Sequence, residues 1–144
     1  MCICGGMACW YIAKDQLGEA WALPLAKRSW PLRLLGAGLM AASVQLRMSS
    51  IERFQHHRTP LTHKQQSRVL VTDGPFQWSR NPMYLSMLGN IGSVGLMANT
   101  WWCLVATLPF AAYLNFWIIP GEEEYLRAKF DSYEEYAQRT RRWL

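Results

Sequence analysis

The sequence contains an uninterrupted run of forty residues, from Asn81 to Pro120, without a single Asp, Glu, Lys or Arg. A helix that crosses a membrane needs about 20 mostly apolar residues, so this run is long enough for two such helices and a tight turn. The alternative is a helical hairpin buried in a soluble protein. Soluble helices usually carry a charged face, and because this run carries none, the membrane hairpin is favoured.

Local signals divide the neutral run into two helices. Asn81-Pro82 predicts a helix start, with Asn as the N-cap and Pro at the first helical position. Asn99-Thr100 predicts the turn, and Trp101 and Trp102 behind it are typical of interfacial anchors. The return helix is expected to end at Pro120-Gly121. Residues 81–120 are therefore predicted to form a transmembrane hairpin.

A further membrane helix is predicted over residues 30–48, where an uncharged core lies between Arg33 and Arg47. Its small residues, among them Gly36, Gly38 and Ser43, suit close helix packing in lipid. Residues 1–29 are expected to be irregular, 49–80 to form a cytoplasmic loop, and 121–144 a cytoplasmic amphipathic helical tail. The predicted fold is a single-domain, all-α integral membrane protein with about three transmembrane helices, one plus a hairpin.

Charge predicts both the orientation and the partners. The net charge is +5, but the basic residues form no stripe interleaved with aromatics, so nucleic acid is not an expected partner. Between Arg47 and Arg80 six basic residues stand against two acidic ones, and such an excess marks the cytoplasmic side. A hairpin over 81–120 returns the tail to the same side. We therefore expect a multi-pass protein of the lipid bilayer, the plasma or inner membrane in a bacterium, with a cytoplasmic C-terminus.

Metal chemistry is not expected. Cys2, Cys4 and Cys9 crowd the N-terminus without the paired spacing of a zinc site, and Cys103 lies within the apolar run. A metal or redox module that combines Cys2, Cys4 and Cys9 with His56, His57 and His63 is the alternative. Adjacent histidines in a polar loop are more often solvated, so no metal ligand is predicted.

Two polar groups flank the neutral run and form the candidate site. Arg80, the free N–H groups of the helix beginning at Pro82, and the positive end of its dipole all favour a carboxylate or phosphate. Tyr84 in the first turn adds an aromatic face or a hydroxyl. Glu122, Glu123 and Glu124 follow the run and could accept from ribose hydroxyls, balance a cation or hold Arg80. The alternatives are a snorkelling arginine, a plain helix cap and a solvated charge run.

Several elements, taken in order, resemble the isoprenylcysteine carboxyl methyltransferase and phospholipid methyltransferase superfamily of integral-membrane enzymes. The resemblance covers roughly residues 30–144, and no single element would carry it. Its parts are Gly74-Pro75-Phe76, Arg80-Asn81-Pro82-Met83-Tyr84, Glu122-Glu123, Leu126, Phe130, Tyr133 and Tyr136. The sequence departs from the family pattern at four positions. Asn81 stands where some members have a histidine, Ser86 and Asp131 stand where glycines are usual, and Gly121 separates Pro120 from the glutamates.

The resemblance implies S-adenosylmethionine as cofactor and methyl transfer at the cytoplasmic membrane face. The acceptor would be a lipophilic molecule or a small carboxylate or thiol. Arg80 and Glu123 are the implied catalytic residues. The residues implied to bind the cofactor are Arg80, Asn81, Pro82, Tyr84, Glu122 and Glu123. The alternative is a non-catalytic membrane scaffold that retains the fold without the cofactor.

Overall fold

The computed structural model describes residues 30–57 and 69–144. In these ranges the ordered elements are helical. They are α1 (Trp30–His56), a 3-10 turn (Gly74–Gln77), α2 (Pro82–Ala98), α3 (Trp101–Tyr113), a π-helical turn (Leu114–Ile118), α4 (Ile119–Lys129) and α5 (Tyr133–Arg139). The prediction of an irregular segment over residues 1–29 lies outside the described residues. Of the residues in the metal or redox alternative, only His56 and His57 are described.

Two stretches are long and apolar enough to cross a membrane, Trp30–His56 and Trp101–Lys129. Only 17% and 11% of their apolar windows are buried inside the protein, so neither is the enclosed core helix of a soluble fold. Large apolar side chains such as Leu34, Leu108 and Phe116 point outward instead. α2 has 17 residues and spans about 25 Å. Its own passage through the membrane stays a prediction.

Helix α1 continues past the predicted end at residue 48 and reaches His56. The apolar stretch stops near Arg47, but the following residues contain no helix breaker, so the backbone ladder continues into polar sequence. Ser50, which is fully buried, donates to the Leu46 carbonyl over 2.7 Å. A change in polarity therefore marks where the apolar segment ends and not where the helix ends.

The close packing of α1 on α2 depends on small side chains, as predicted for Gly36 and Ser43. A Cβ at Gly36 would lie 2.8 Å from Met97 Cγ, and one at Gly89 of α2 would overlap the Ser43 hydroxyl. Gly38, also expected on this face, instead points to open space. The contact therefore occupies a narrow stripe of α1, and the rest of the helix surface faces outward.

The predicted hairpin turn is confirmed. Asn99 ends α2 in the left-handed conformation at φ 55°, where Asn is one of the few tolerated residues. The Thr100 hydroxyl accepts from the Trp102 amide and caps α3. The chain thus reverses within two residues, and α3 returns toward the end of the molecule at which α2 begins.

The return helix does not end at Pro120-Gly121 as predicted. A π-helical turn over Leu114–Ile118 leads directly into α4, and this local change of the hydrogen-bond pattern accommodates Pro120, which has no N–H to donate. The first residues of the predicted tail are therefore a rigid extension of the hairpin. The glutamates at its beginning are held in a helix and not in a loop.

The segment before α2 is anchored to the end of α1. Asp73 accepts from Arg53 at 3.2 Å and lies 3.1 Å from His57 Nε2. Gly74 has φ +60°, and a Cβ there would lie 2.8 Å from Arg53 Nε. Phe76 is buried edge-on against Phe54. These contacts fix the chain that leads into Arg80.

Candidate functional site

A cavity of about 760 Å³ lies at the end of the molecule where α2 begins and α4 passes. Its wall is formed by the chain before α2, the first two turns of α2, the end of the π-helical turn, α4, α5 and the last turns of α1. All the residues predicted for the site line it together: Arg80, Asn81, Pro82, Tyr84, Glu122 and Glu123. The structure therefore brings both flanks of the neutral run into one site, while the roles of these residues stay predictions.

Arg80 and Glu123 form the centre of the site. Arg80 Nη1 lies 3.3 Å from Glu123 Oε1, and the two side chains are only 13% and 5% exposed. This is the carboxylate that holds Arg80, one of the three uses foreseen for the glutamates. Arg80 Nε is also buried, and within the described residues it has no hydrogen-bond partner. A buried hydrogen-bond donor without a partner costs free energy, so this nitrogen is suited to donate to a hydrogen-bond acceptor on a bound molecule.

Arg142 is a site residue that sequence reasoning missed. Its guanidinium grips the Glu123 carboxylate with two bonds, Nε to Oε1 at 3.1 Å and Nη2 to Oε2 at 2.7 Å. Arg139, Arg141 and Arg142 all belong to the predicted amphipathic tail. Nothing in the sequence separates Arg142 from its two neighbours, because the contact joins residues 19 positions apart across a fold.

The C-terminal segment reaches this position because it docks on the chain before α2. The Arg80 amide donates to the Arg141 carbonyl over 2.9 Å, and Asn81 Nδ2 donates to the Arg142 carbonyl over 3.1 Å. Asn81 does precede the first helical residue as predicted, but its side chain makes no cap bond. It holds the tail instead, and the tail in turn completes the site.

Tyr84 and Glu122 form a second polar pair in the cavity wall. The Tyr84 hydroxyl donates to Glu122 Oε1 over 2.7 Å, so α2 and α4 are bridged one turn away from the Arg80 pair. Pro82 is fully buried between them. Glu124 is exposed and does not line the cavity. Of the three consecutive glutamates, two therefore face the site.

Two buried tyrosines of α5, Tyr133 and Tyr136, also line the cavity. Tyr136 donates to the Phe76 carbonyl over 2.7 Å, and burial raises the pKa of its hydroxyl. Burial likewise raises the pKa of Tyr133, and the nearby Glu123 raises it further, while Arg80 opposes both. Both tyrosines belong to the motif that suggested the resemblance. They were not predicted as site residues, although that motif was the available signal.

The remaining wall is largely apolar, with one exception on α1. Its apolar members are Phe54, Val69, Leu70, Val71, Phe76, Met83, Met87, Trp117, Ile118 and Leu126. Arg47 also lines the cavity, and in the part of the chain that the structure describes it makes no ion pair. The site therefore combines two arginines on separate elements, two carboxylates and an apolar surface.

No cluster of three or more His, Cys, Asp or Glu side chains suited to a metal occurs within 30–57 and 69–144. His57 contacts Asp73, and His56 packs edge-on against His57. The chemistry that the described cavity offers is therefore that of guanidinium, carboxylate and phenol groups.

Comparison with known families gives one match. The family model described as phospholipid methyltransferase matches residues 32–132, which include most of α1, the hairpin, Arg80 to Tyr84 and both glutamates of the site. Arg142 and the α5 tyrosines lie beyond the matched region. No curated protein and no solved structure matches the chain.

Proposed function

Because this chain belongs to the phospholipid methyltransferase family, we propose that it transfers a methyl group from S-adenosylmethionine at the cytoplasmic face of a membrane. The acceptor is a lipophilic molecule or a small carboxylate or thiol. The observation that carries the proposal is the single cavity lined by Arg80, Tyr84, Glu122 and Glu123 on one side and by apolar residues on the other. It has room for a charged cofactor beside an apolar acceptor.

The residues present fit S-adenosylmethionine. Arg80 Nε is a buried donor without a partner among the described residues, and it suits the carboxylate of the cofactor. The N-terminus of α2 adds positive potential beside it. Glu122 lines the same cavity, and its carboxylate would accept from the ribose hydroxyls. When bound, the cofactor supplies an electrophilic methyl group on a sulfonium sulfur.

The contribution of the chain is positioning and exclusion of water. An acceptor that is already an ionised carboxylate or thiolate needs no proton removed, so no general base is required. Trp117, Ile118 and Leu126 cover the apolar part of the wall and limit water around the reacting atoms. Arg80 fixes the orientation of the bound groups through its contact with Glu123, and effective positioning alone supplies a large part of such a rate enhancement.

Arg47 supports an acceptor that carries a negative charge. It lines the cavity from α1, on a different element from Arg80, and makes no ion pair with the described residues. The apolar side chains beside it, among them Phe54 and Val71, suit a hydrocarbon body. An acceptor with an apolar body and an ionised carboxylate matches both features of this wall.

The proposed orientation places both Arg80 and Leu144 in the cytoplasm. It is supported by the basic excess between Arg47 and Arg80 and by the contacts that tie the C-terminal segment to residues 79–81. A reporter enzyme fused after Leu144 should be active only in the cytoplasm. Activity confined to the opposite side would contradict the proposed topology.

Cofactor binding tests the proposed function against a scaffold that lacks the cofactor. Calorimetry on detergent-purified protein should show saturable S-adenosylmethionine binding that Arg80→Ala removes. Transfer of a tritiated methyl group from the cofactor to a lipid extract should follow the same pattern. A folded wild-type protein that binds no cofactor would support the scaffold.

A further inference from the structure

The geometry points to Arg142 as a positioning residue that keeps Arg80 available for an anionic group; this inference rests on the proposed function. Arg142 takes both oxygens of Glu123, at 3.1 and 2.7 Å. Arg80 contributes only one contact to the same carboxylate, Nη1 to Oε1 at 3.3 Å. Glu123 is therefore neutralised chiefly by the C-terminal segment, although Arg80 is the cation that lines the cavity.

The charges at this point do not balance within the cluster. Two guanidinium groups face one buried carboxylate, and the excess positive charge lies beside the cavity. A carboxylate that is 5% exposed must be paired, because leaving it alone in a low-dielectric environment is strongly unfavourable. Without Arg142, Arg80 would be the remaining cation in the cluster, and its guanidinium would pair with both oxygens of Glu123. The excess charge would then disappear.

Arg142 is held in place from a second direction. Asn115, in the π-helical turn, accepts from Trp143 Nε1 at 3.1 Å and from Arg142 Nη1 at 3.5 Å. Asn115 and Glu123 lie on the same continuous helix, so the last residues of the chain are clamped along it. This arrangement fixes the guanidinium before any cofactor arrives, which is what preorganisation of a charged site requires.

The excess charge predicts a selective effect on ligands that carry a carboxylate. S-adenosylhomocysteine carries the amino-acid carboxylate of the cofactor, whereas 5′-methylthioadenosine has the same nucleoside and thioether without it. Arg142→Met removes the charge at similar length and should weaken S-adenosylhomocysteine about tenfold or more, the size of a lost charge-assisted hydrogen bond. It should leave methylthioadenosine unchanged. Arg142→Lys keeps the positive charge but not the two-bond guanidinium geometry, so its affinity for S-adenosylhomocysteine should fall between those of the wild type and Arg142→Met.

The experiment is calorimetric titration of the full-length, detergent-purified protein and its variants with both nucleosides. Arg139→Met is the matched control, because Arg139 is exposed and pairs only weakly with Glu135 at 3.5 Å, so it should bind like the wild type. If methylthioadenosine binds too weakly to measure, the test is whether Arg142→Lys binds S-adenosylhomocysteine more tightly than Arg142→Met does.

Each result has a defined meaning. Wild-type affinity for S-adenosylhomocysteine in Arg142→Met would overturn the inference. Equal weakening of both nucleosides would show that the tail only stabilises the fold, and this also overturns the inference. Where methylthioadenosine cannot be measured, a lack of recovery in Arg142→Lys has the same meaning. A wild-type protein that binds neither nucleoside would instead overturn the proposed function.

Discussion

The contact between α1 and α2 and the contact between α2 and α4 are built in opposite ways. α1 and α2 approach closely because Gly36, Gly89 and Ser43 leave room for the opposing helix. At the cavity, α2 and the chain before it stand apart from α4 and are joined to it by long polar side chains, Tyr84 to Glu122 and Arg80 to Glu123. The first contact leaves no room for another molecule, whereas the second leaves such a space.

This difference separates stability from function within one small protein. Close packing in lipid depends on van der Waals contact and tolerates little change in volume. A charged cavity depends on pairing, because each buried charge needs its partner. Substitutions in the two regions are therefore expected to have different consequences, and the following predictions test that separation.

The largest effect is expected at the Arg80–Glu123 pair. Arg80→Ala removes the buried cation that lines the cavity, and Glu123→Ala leaves Arg80 and Arg142 without their shared carboxylate, so in both variants methyl transfer should fall by at least about 100-fold. Both variants should remain inserted in the membrane. The measurement is transfer of a tritiated methyl group, with membrane fractionation as the check on insertion.

Glu124→Ala is the matched control for this pair, because Glu124 is the exposed neighbour that does not line the cavity. It should keep wild-type activity. Full activity in both Arg80→Ala and Glu123→Ala would mean that the site lies elsewhere in the chain.

The stability of the close contact between α1 and α2 should depend on side-chain volume. Gly89→Ala places a methyl group on the Ser43 hydroxyl, and we expect it to lower the free energy of unfolding by about 1–3 kcal/mol. Gly38→Ala, on the open face of α1, should leave stability unchanged or raise it by up to about 1 kcal/mol through helix propensity. Unfolding in detergent, followed by circular dichroism, measures both.

If the two regions are separate, the Gly89→Ala protein that remains folded should bind the cofactor like the wild type. A loss of binding in folded Gly89→Ala protein would show that packing between α1 and α2 also shapes the cavity.

An effect of similar size is expected at Tyr136, which connects α5 to the chain before α2. Tyr136→Phe leaves the Phe76 carbonyl without this donor in a buried position and should cost about 1–3 kcal/mol of stability. Tyr125→Phe is the control, since its exposed hydroxyl only accepts from Lys129, and it should stay within about 0.5 kcal/mol. Equal melting temperatures for the two variants would contradict a supporting role for Tyr136.

The smallest effect concerns Arg47 and the acceptor. Arg47→Gln removes the cation on the α1 wall and should raise the KM for an anionic acceptor about tenfold, with cofactor affinity unchanged. Arg33→Gln, on the exposed part of the same helix, should have no effect. An unchanged KM in the Arg47 variant would remove the support for a charged acceptor.

Much of the fold could be predicted from local sequence, because the signals involved act over a few residues. The absence of charge between Asn81 and Pro120 predicts the hairpin, Asn99 predicts its turn, and Pro82 predicts the start of α2. The helix ends were harder to predict. α1 continues beyond its apolar stretch because polarity does not stop a helix, and the return helix continues through Pro120 because the π-helical turn before it accommodates the proline.

The candidate site was predicted in part for a similar reason. Arg80 and Glu123 flank one neutral run, and a hairpin must bring its two ends to the same side, so their meeting follows from the sequence. Arg142 could not be found in this way. Its place depends on how the C-terminal segment crosses residues 79–81, and no local pattern encodes that crossing.

By itself, the sequence determined the apolar hairpin, its turn and the two polar groups at its open end, because periodicity, charge and capping are properties of neighbouring residues. The tertiary structure decided which partners those polar groups take. Asn81 binds the tail instead of capping its helix, and Glu123 is gripped by Arg142 as well as by Arg80. Pairing between distant side chains depends on where the backbone places them, and only the folded chain specifies that.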